Sequence, residues 1–174
     1  MPLSSRSSFS VLAIAAAAAA AATLSISSAL AASFATINLK IAVGRPAADV
    51  WAKVGPYCAI QDWLKTPCQM SAGSGDVGSI RKLGATGATV ELLVGKTPLS
   101  YTYVQTAGGM ADKWYHGTLA VEPSVDGKTS TILYSLVYDE ESYPTQDAKD
   151  ARRKGFVDAF QRAIETMKGM AEGG

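Results

Sequence analysis

Histidine, cysteine and net charge are what this sequence has least of. His116 is its only histidine, and Cys58 and Cys68 are its only cysteines. Two thiols and one distant imidazole do not make a tetrahedral ligand set, so no metal centre is expected. Sixteen basic residues are balanced by fifteen acidic ones, with no polybasic run. That balance leaves no electrostatic footprint for nucleic acid or an anionic membrane surface. The nucleophile elbow G-x-S-x-G, the phosphate-binding P-loop, the zinc-protease H-E-x-x-H and the calcium loop are all absent, and no cofactor is implied. Asp139-Glu140-Glu141, an acidic run just before Pro144, reads as a solvated loop.

The N-terminus is the one low-complexity stretch. Arg6 supplies a short positive region, residues 9–24 form an uncharged alanine-rich run, and Ala29-Leu30-Ala31 has the small-x-small form of a cleavage site. Residues 1–31 are therefore expected to be a signal peptide, and residues 32–174 a single exported domain, periplasmic or secreted. The alternative is a retained anchor, since the uncharged run is long enough to span a bilayer. No second long apolar stretch follows, so no membrane span is expected once the signal is removed. Disulfides persist outside the cytoplasm. Pairing Cys58 with Cys68 closes a loop of about 11 residues, for which chain entropy gives about 2.8 kcal/mol, less any strain. A cysteine–histidine nucleophile would need one of these thiols free, which export disfavours.

The C-terminal stretch organises the rest. Phe156, Phe160, Ala163, Met167 and Met170 recur at offsets of four and three, one face of a helix from Thr145 to about Met170. Thr145 suits its cap, and Asp147 and Lys168 suit its dipole. At 1.5 Å per residue such a rod is about 37 Å long, and its apolar face needs a partner of similar length. Phe34–Val43 alternates as a half-buried strand. Two short helices follow, one after Pro46 and one over Tyr57–Leu64. Strands are then expected over Cys68–Ala72, Val77–Leu83, Thr89–Val94, Leu99–Thr106, Lys113–Val121 and Ser130–Asp139, with a mobile loop at Ala107–Ala111. Strands followed by a segregated helix argue an α+β fold: a curved antiparallel sheet of about seven strands wrapped on one long helix.

This order resembles the helix-grip fold of the START-like (SRPBCC) superfamily, which includes polyketide cyclase/dehydrase-like and lipid-transfer proteins. The resemblance covers roughly Leu39 to Met167. It rests on Cys58 and Trp63 before Cys68, Gly78-Ser79-Ile80-Arg81-Lys82-Leu83, Val90-Glu91, Ser100-Tyr101-Thr102-Tyr103, Tyr115 ahead of Leu119-Ala120-Val121, and the final helix. It implies a cavity between sheet and helix, with Trp63, Glu91, Tyr101, Tyr103, Tyr115, Gly117, Phe156 and Phe160 as ligand-binding residues. It does not by itself imply an activity.

Several of these residues read two ways. Tyr101 and Tyr103 share a strand face, and tyrosines there offer apolar bulk with a hydroxyl to fix a ligand, or plain core packing. Gly117 leaves room for a ligand or marks a bulge. Glu91 faces inward on the resemblance, as a polar anchor or weak candidate base, and outward on the alternation of Val90, Leu92 and Val94. Arg81 reads mainly as a solvated surface group, its alternative being a partner for Glu91. Trp63 is a core plug or one wall of the cavity mouth. His116 faces away from Tyr115 and Gly117, at the surface or an edge.

Three functions compete. The leading one is binding or carriage of a small hydrophobic molecule: a lipid, an isoprenoid or a polyketide-like compound. The others are a cyclase/dehydrase-type enzyme using Glu91 and tyrosine hydroxyls, and a non-catalytic envelope interaction domain with a closed cavity. Ligand identity and oligomeric state are left open.

Overall fold

The computed structural model describes residues 33–173; the expected signal peptide lies outside them. The chain runs through β1 (Phe34–Val43), α1 (Ala47–Val54), α2 (Ile60–Trp63), β2 (Cys68–Ala72), β3 (Ile80–Leu83), β4 (Thr89–Thr97) and β5 (Ser100–Ala107). After a 3₁₀ turn at Ala111–Lys113 come β6 (His116–Pro123), β7 (Ser130–Asp139) and α3 (Gln146–Glu172). The seven strands form one antiparallel sheet in the order β1-β7-β6-β5-β4-β3-β2. α3 packs on β1, β7 and the two short helices. This is the helix-grip arrangement.

Alternation decides which side chains meet the helix. On β7, Ile132, Tyr134, Leu136 and Tyr138 are buried in succession; on β5, Tyr101 and Tyr103 are, and on β6 Leu119 and Val121. α3 answers with Phe160, Ala163, Ile164, Met167 and Ala171 buried. Burying Phe160, Ile164 and Met167 contributes about 1.5–3 kcal/mol each. Thr145 caps the helix, its hydroxyl accepting from the Ala148 amide at 3.2 Å. At the other end Lys168 donates to the Ala42 carbonyl at 2.8 Å, while Glu172 accepts from the Gly44 amide at 2.8 Å. The helix is thus pinned to the end of β1.

Three local expectations are corrected. The sixth strand starts at His116, not Lys113, because the 3₁₀ turn is followed by Trp114 in the left-handed region at φ 53°, which no strand accommodates. Glu140 is not solvated: it is 7 % exposed and paired with Arg153 of α3 at 3.1 Å. The third strand starts at Ile80, and the loop before it reads Gly73-x-Gly75-x-x-Gly78. That spacing occurs in dinucleotide-binding turns, but here it joins two antiparallel strands and opens no helix, so the phosphate-binding geometry is missing.

Cys58 and Cys68 are joined, with Cα atoms 5.5 Å apart. The bridge ties the approach to α2 to the first residue of β2. Replacing both cysteines with serine should lower unfolding free energy by about 2–3 kcal/mol, read as a lower denaturant midpoint. An unchanged midpoint would show that the bridge does not constrain the unfolded chain.

Candidate functional site

A cavity of about 250 Å³ opens between the sheet and α3. Its sheet wall is Leu83, Thr89, Glu91, Tyr103 and Gln105; its helix wall is Phe156 and Phe160. Ile60, Leu64 and Thr66, all inside the segment closed by the disulfide, form a third side. Met110 and Tyr115 come from the β5–β6 connection. That connection is fastened across the rim: the Tyr143 hydroxyl meets the Met110 sulfur at 3.7 Å, and Lys113 and Arg152 lie 5.6 and 5.5 Å from the Tyr143 ring.

Behind the sheet wall lies a buried ion pair. Arg81 and Glu91 are directly opposite in the β3–β4 ladder, so both side chains leave the same face. Arg81 is 0 % exposed and Glu91 4 %. Nε donates to Glu91 Oε2 at 2.7 Å. Nη2 lies 2.6 Å from the same oxygen without an aligned hydrogen bond. Nη1 donates to the Tyr57 carbonyl, and the guanidinium sits over the Tyr57 ring at 4.1 Å and near the Tyr103 ring at 5.0 Å. Burial raises the Glu91 carboxyl above the usual carboxylate value, opposed by the Arg81 charge. Desolvation works to lower Arg81, but the surrounding tyrosines and Glu91 outweigh it and hold the guanidinium above its ordinary value. With Arg81 always protonated, a neutral Glu91 would strand a buried cation, so the pair is ionised at neutral pH.

The tyrosines form a connected set. Tyr103 Oη is 2.9 Å from Tyr134 Oη and 3.3 Å from Tyr115 Oη. Tyr115 stacks on Phe156 at 5.5 Å between centroids, and Tyr134 meets Phe160 at 4.7 Å. Burial pushes the Tyr101, Tyr103, Tyr115 and Tyr134 phenols above their ordinary range.

The sequence profile described as "Polyketide cyclase / dehydrase and lipid transport" matches residues 35–172. The chain belongs to this family. No match was found among curated proteins. Among solved structures, a solution NMR structure from Thermobifida fusca is similar at TM-score 0.66 and 21 % identity, covering 78 % of this chain and 92 % of that one. Norcoclaurine synthase from Thalictrum flavum, in complex with dopamine and hydroxybenzaldehyde, is similar at TM-score 0.60 and 17 % identity, covering 79 % and 86 %. Ara h 8.0201 is similar at 0.59 and 13 %, covering 80 % and 98 %. At these identities the likeness is one of fold.

For this polyketide cyclase/dehydrase and lipid transport domain, the eight residues named from sequence divide. Glu91, Tyr103, Tyr115, Phe156 and Phe160 line the cavity together. Trp63 does not: it is 2 % exposed, edge-on to Tyr134 at 5.9 Å, the core alternative. Tyr101 lies beyond the ion pair, against Trp51 and Tyr57 at 5.8 and 5.4 Å. Gly117 gives room to Tyr103 and not to a ligand, since a Cβ there would fall 2.5 Å from the Tyr103 hydroxyl oxygen. Arg81 is corrected from a solvated group to the most buried charge described. The outward option for Glu91 falls with it, because Val94 is the exposed residue at 43 % and Glu91 and Leu93 are buried. His116 is off the cavity, its Nδ1 2.8 Å from the Trp114 carbonyl oxygen.

Tyr57, Tyr134 and Met110 were not singled out from sequence. Tyr134 had a signal, the strict alternation Ile132-x-Tyr134-x-Leu136-x-Tyr138. Tyr57 contributes a main-chain carbonyl, for which no sequence signal exists.

Arg81→Met alone should destabilise by about 3–5 kcal/mol by stranding Glu91, while Arg81→Met with Glu91→Leu should recover most of that loss. Chemical denaturation of the wild type, the Arg81→Met single variant and the double variant checks it; a double variant as unstable as the single one would contradict the coupling. The buried phenols also set an alkaline limit. A raised native pKa contributes stability that is complete below the unfolded value of about 10 and is lost as pH rises through the native value. Stability should therefore fall steeply above about pH 10, with most tyrosinate absorbance appearing only on unfolding. Titration of these phenols in the folded protein would contradict their burial.

Proposed function

We propose that this protein binds and carries a small hydrophobic molecule in the cavity between the sheet and α3, outside the cytoplasm. The observation that carries the reading is a cavity with an unbroken aromatic wall on α3 and a few polar groups on the sheet side. That is the usual make-up of a small-molecule site, apolar bulk with few convergent polar atoms. The family's description includes lipid transport. The Thalictrum flavum synthase, of the same fold, holds two small aromatic molecules. Residues Glu91, Tyr103, Tyr115, Phe156 and Phe160 are the proposed ligand contacts.

Carriage is favoured over catalysis by Arg81. The Glu91 carboxylate is committed at 2.6 Å to a buried guanidinium, and taking up a proton there would leave the Arg81 charge buried without its partner. An open cavity also counts against an interaction domain packed solid by its own side chains. The disulfide between Cys58 and Cys68 supports an oxidising compartment, and no described helix is long and apolar enough to cross a membrane.

Native mass spectrometry of protein purified without detergent from the envelope of its host tests both halves. The expected result is a chain beginning at Ala32 with a reproducible small-molecule adduct. A chain that retains residues 1–31 would overturn cleavage in favour of a retained anchor. Absence of any adduct, with none restored by incubation in envelope lipid extract, would overturn carriage. Phe160→Trp, which fills the cavity from the helix side, should reduce adduct occupancy at least tenfold while the fold persists; unchanged occupancy would place the ligand elsewhere.

A further inference from the structure

We propose that the molecule held in this cavity is compact, electrically neutral and of one or two rings, and that its polar end is a hydroxyl donating a hydrogen bond to Oε1 of Glu91. The inference rests on the cavity reading above and adds charge, donor character and size.

Charge follows from the ion pair. Arg81 and Glu91 are both buried and 2.6 Å apart, so their charges cancel within the wall. The guanidinium is not presented to the cavity: Nε and Nη2 lie on Glu91, Nη1 is given to the Tyr57 carbonyl, and Tyr57 covers one face at 4.1 Å. A carboxylate or phosphate ligand would bring a second negative charge against Glu91 with no exposed cation to meet it. An ammonium ligand would compete with Arg81 for one carboxylate. Either ion would be buried without a counter-charge, which is expensive.

Donor character follows from the two oxygens of Glu91. Both contacts from Arg81 fall on Oε2. Oε1 accepts nothing among the described residues, is not among the fully enclosed unpartnered atoms, and belongs to a residue that lines the cavity. Of the two nearby phenols, Tyr103 is shared between Tyr115 and Tyr134, and Tyr115 keeps a neutral hydroxyl that carries no charge to meet an ion. The wall therefore offers one open anionic acceptor, set beside the neutral polar side chains of Thr66, Thr89 and Gln105. A hydroxyl satisfies it; an ether or ketone leaves it unmet.

Size follows from the volume. An apolar cavity of about 150 Å³ holds benzene, so about 250 Å³ suits two fused rings and is too small for a long acyl or polyprenyl chain. The flat walls of Tyr115, Phe156 and Phe160 suit a ring system.

Calorimetric titration of the purified protein at pH 7 with five naphthalenes tests all three elements: 2-naphthol, 2-methoxynaphthalene, 2-naphthoate, 2-naphthylmethylammonium and naphthalene. 2-Naphthol should bind about tenfold or more tightly than the ether and than either ion, the size of effect expected of a hydrogen bond to a charged group. Equal affinity for the ether would overturn the donor assignment, and tighter binding of either ion would overturn neutrality; both outcomes leave the cavity reading standing. Binding of none of the five would overturn the cavity reading as well. 1-Hydroxypyrene binding as tightly as 2-naphthol would overturn the size limit. In the double variant Arg81→Met/Glu91→Leu the preference for 2-naphthol over its ether should fall to near unity with naphthalene still bound; retention of the tenfold preference would overturn the role of Glu91. The wild-type series decides the matter even if the double variant does not fold.

Discussion

A guanidinium with no exposed surface sits on β3, and its neighbours are disposed around the need to accommodate it. Its carboxylate partner stands directly across the ladder on β4, so the ion pair and the β3–β4 register require one another. A one-residue slip would send Glu91 to the outer face and strand the cation. The third donor group reaches the main chain at Tyr57, next to Cys58. The segment that carries Ile60, Leu64 and Thr66 is therefore held at its start by Arg81 and at both ends by the disulfide. One wall of the cavity inherits its position from a charge it never touches.

The two larger walls are built on different principles. The sheet side is a hydroxyl-linked array in which Tyr103 touches both Tyr115 and Tyr134, and in which Gly117 leaves the space that the Tyr103 ring fills. Removing one hydroxyl leaves its partners unsatisfied in a dry interior. The helix side is Phe156 and Phe160, held by ring contacts and, at Phe156, by the Arg152 guanidinium 5.7 Å from the ring. Specific geometry comes from the first wall and apolar volume from the second.

Much of this was legible in the residues. β1, β2 and β7 have the boundaries their alternation predicts, and α3 extends two residues past Met170. The strong signals were local ones: period two, period 3.6, and glycine and proline at the joints. Glu91 and Arg81 were harder because hydropathy along one strand ranks Val90, Leu92 and Val94 as the inner face. The real inner face of β4 carries a carboxylate, tolerable only through a residue on another strand. Cross-strand charge pairing is invisible to a pattern read one strand at a time. Gly117 failed for a related reason: what fills its space is Tyr103 on β5, directly opposite it. Trp114 falls inside the strand expected over Lys113–Val121, and its left-handed backbone after the 3₁₀ turn takes it out of the sheet.

The contrast between the walls bears on how the shape of such a cavity can change over generations. Substitutions at Phe156 or Phe160 reshape the cavity without leaving a polar atom unmatched, so single steps there are viable and reversible. On the sheet side, an enlarged residue at Gly117 collides with Tyr103, and a trimmed Tyr103 deprives two hydroxyls at once; a useful change there takes paired steps through an impaired intermediate. The helix side is therefore the wall that single substitutions can reshape, and the sheet side the one that resists them.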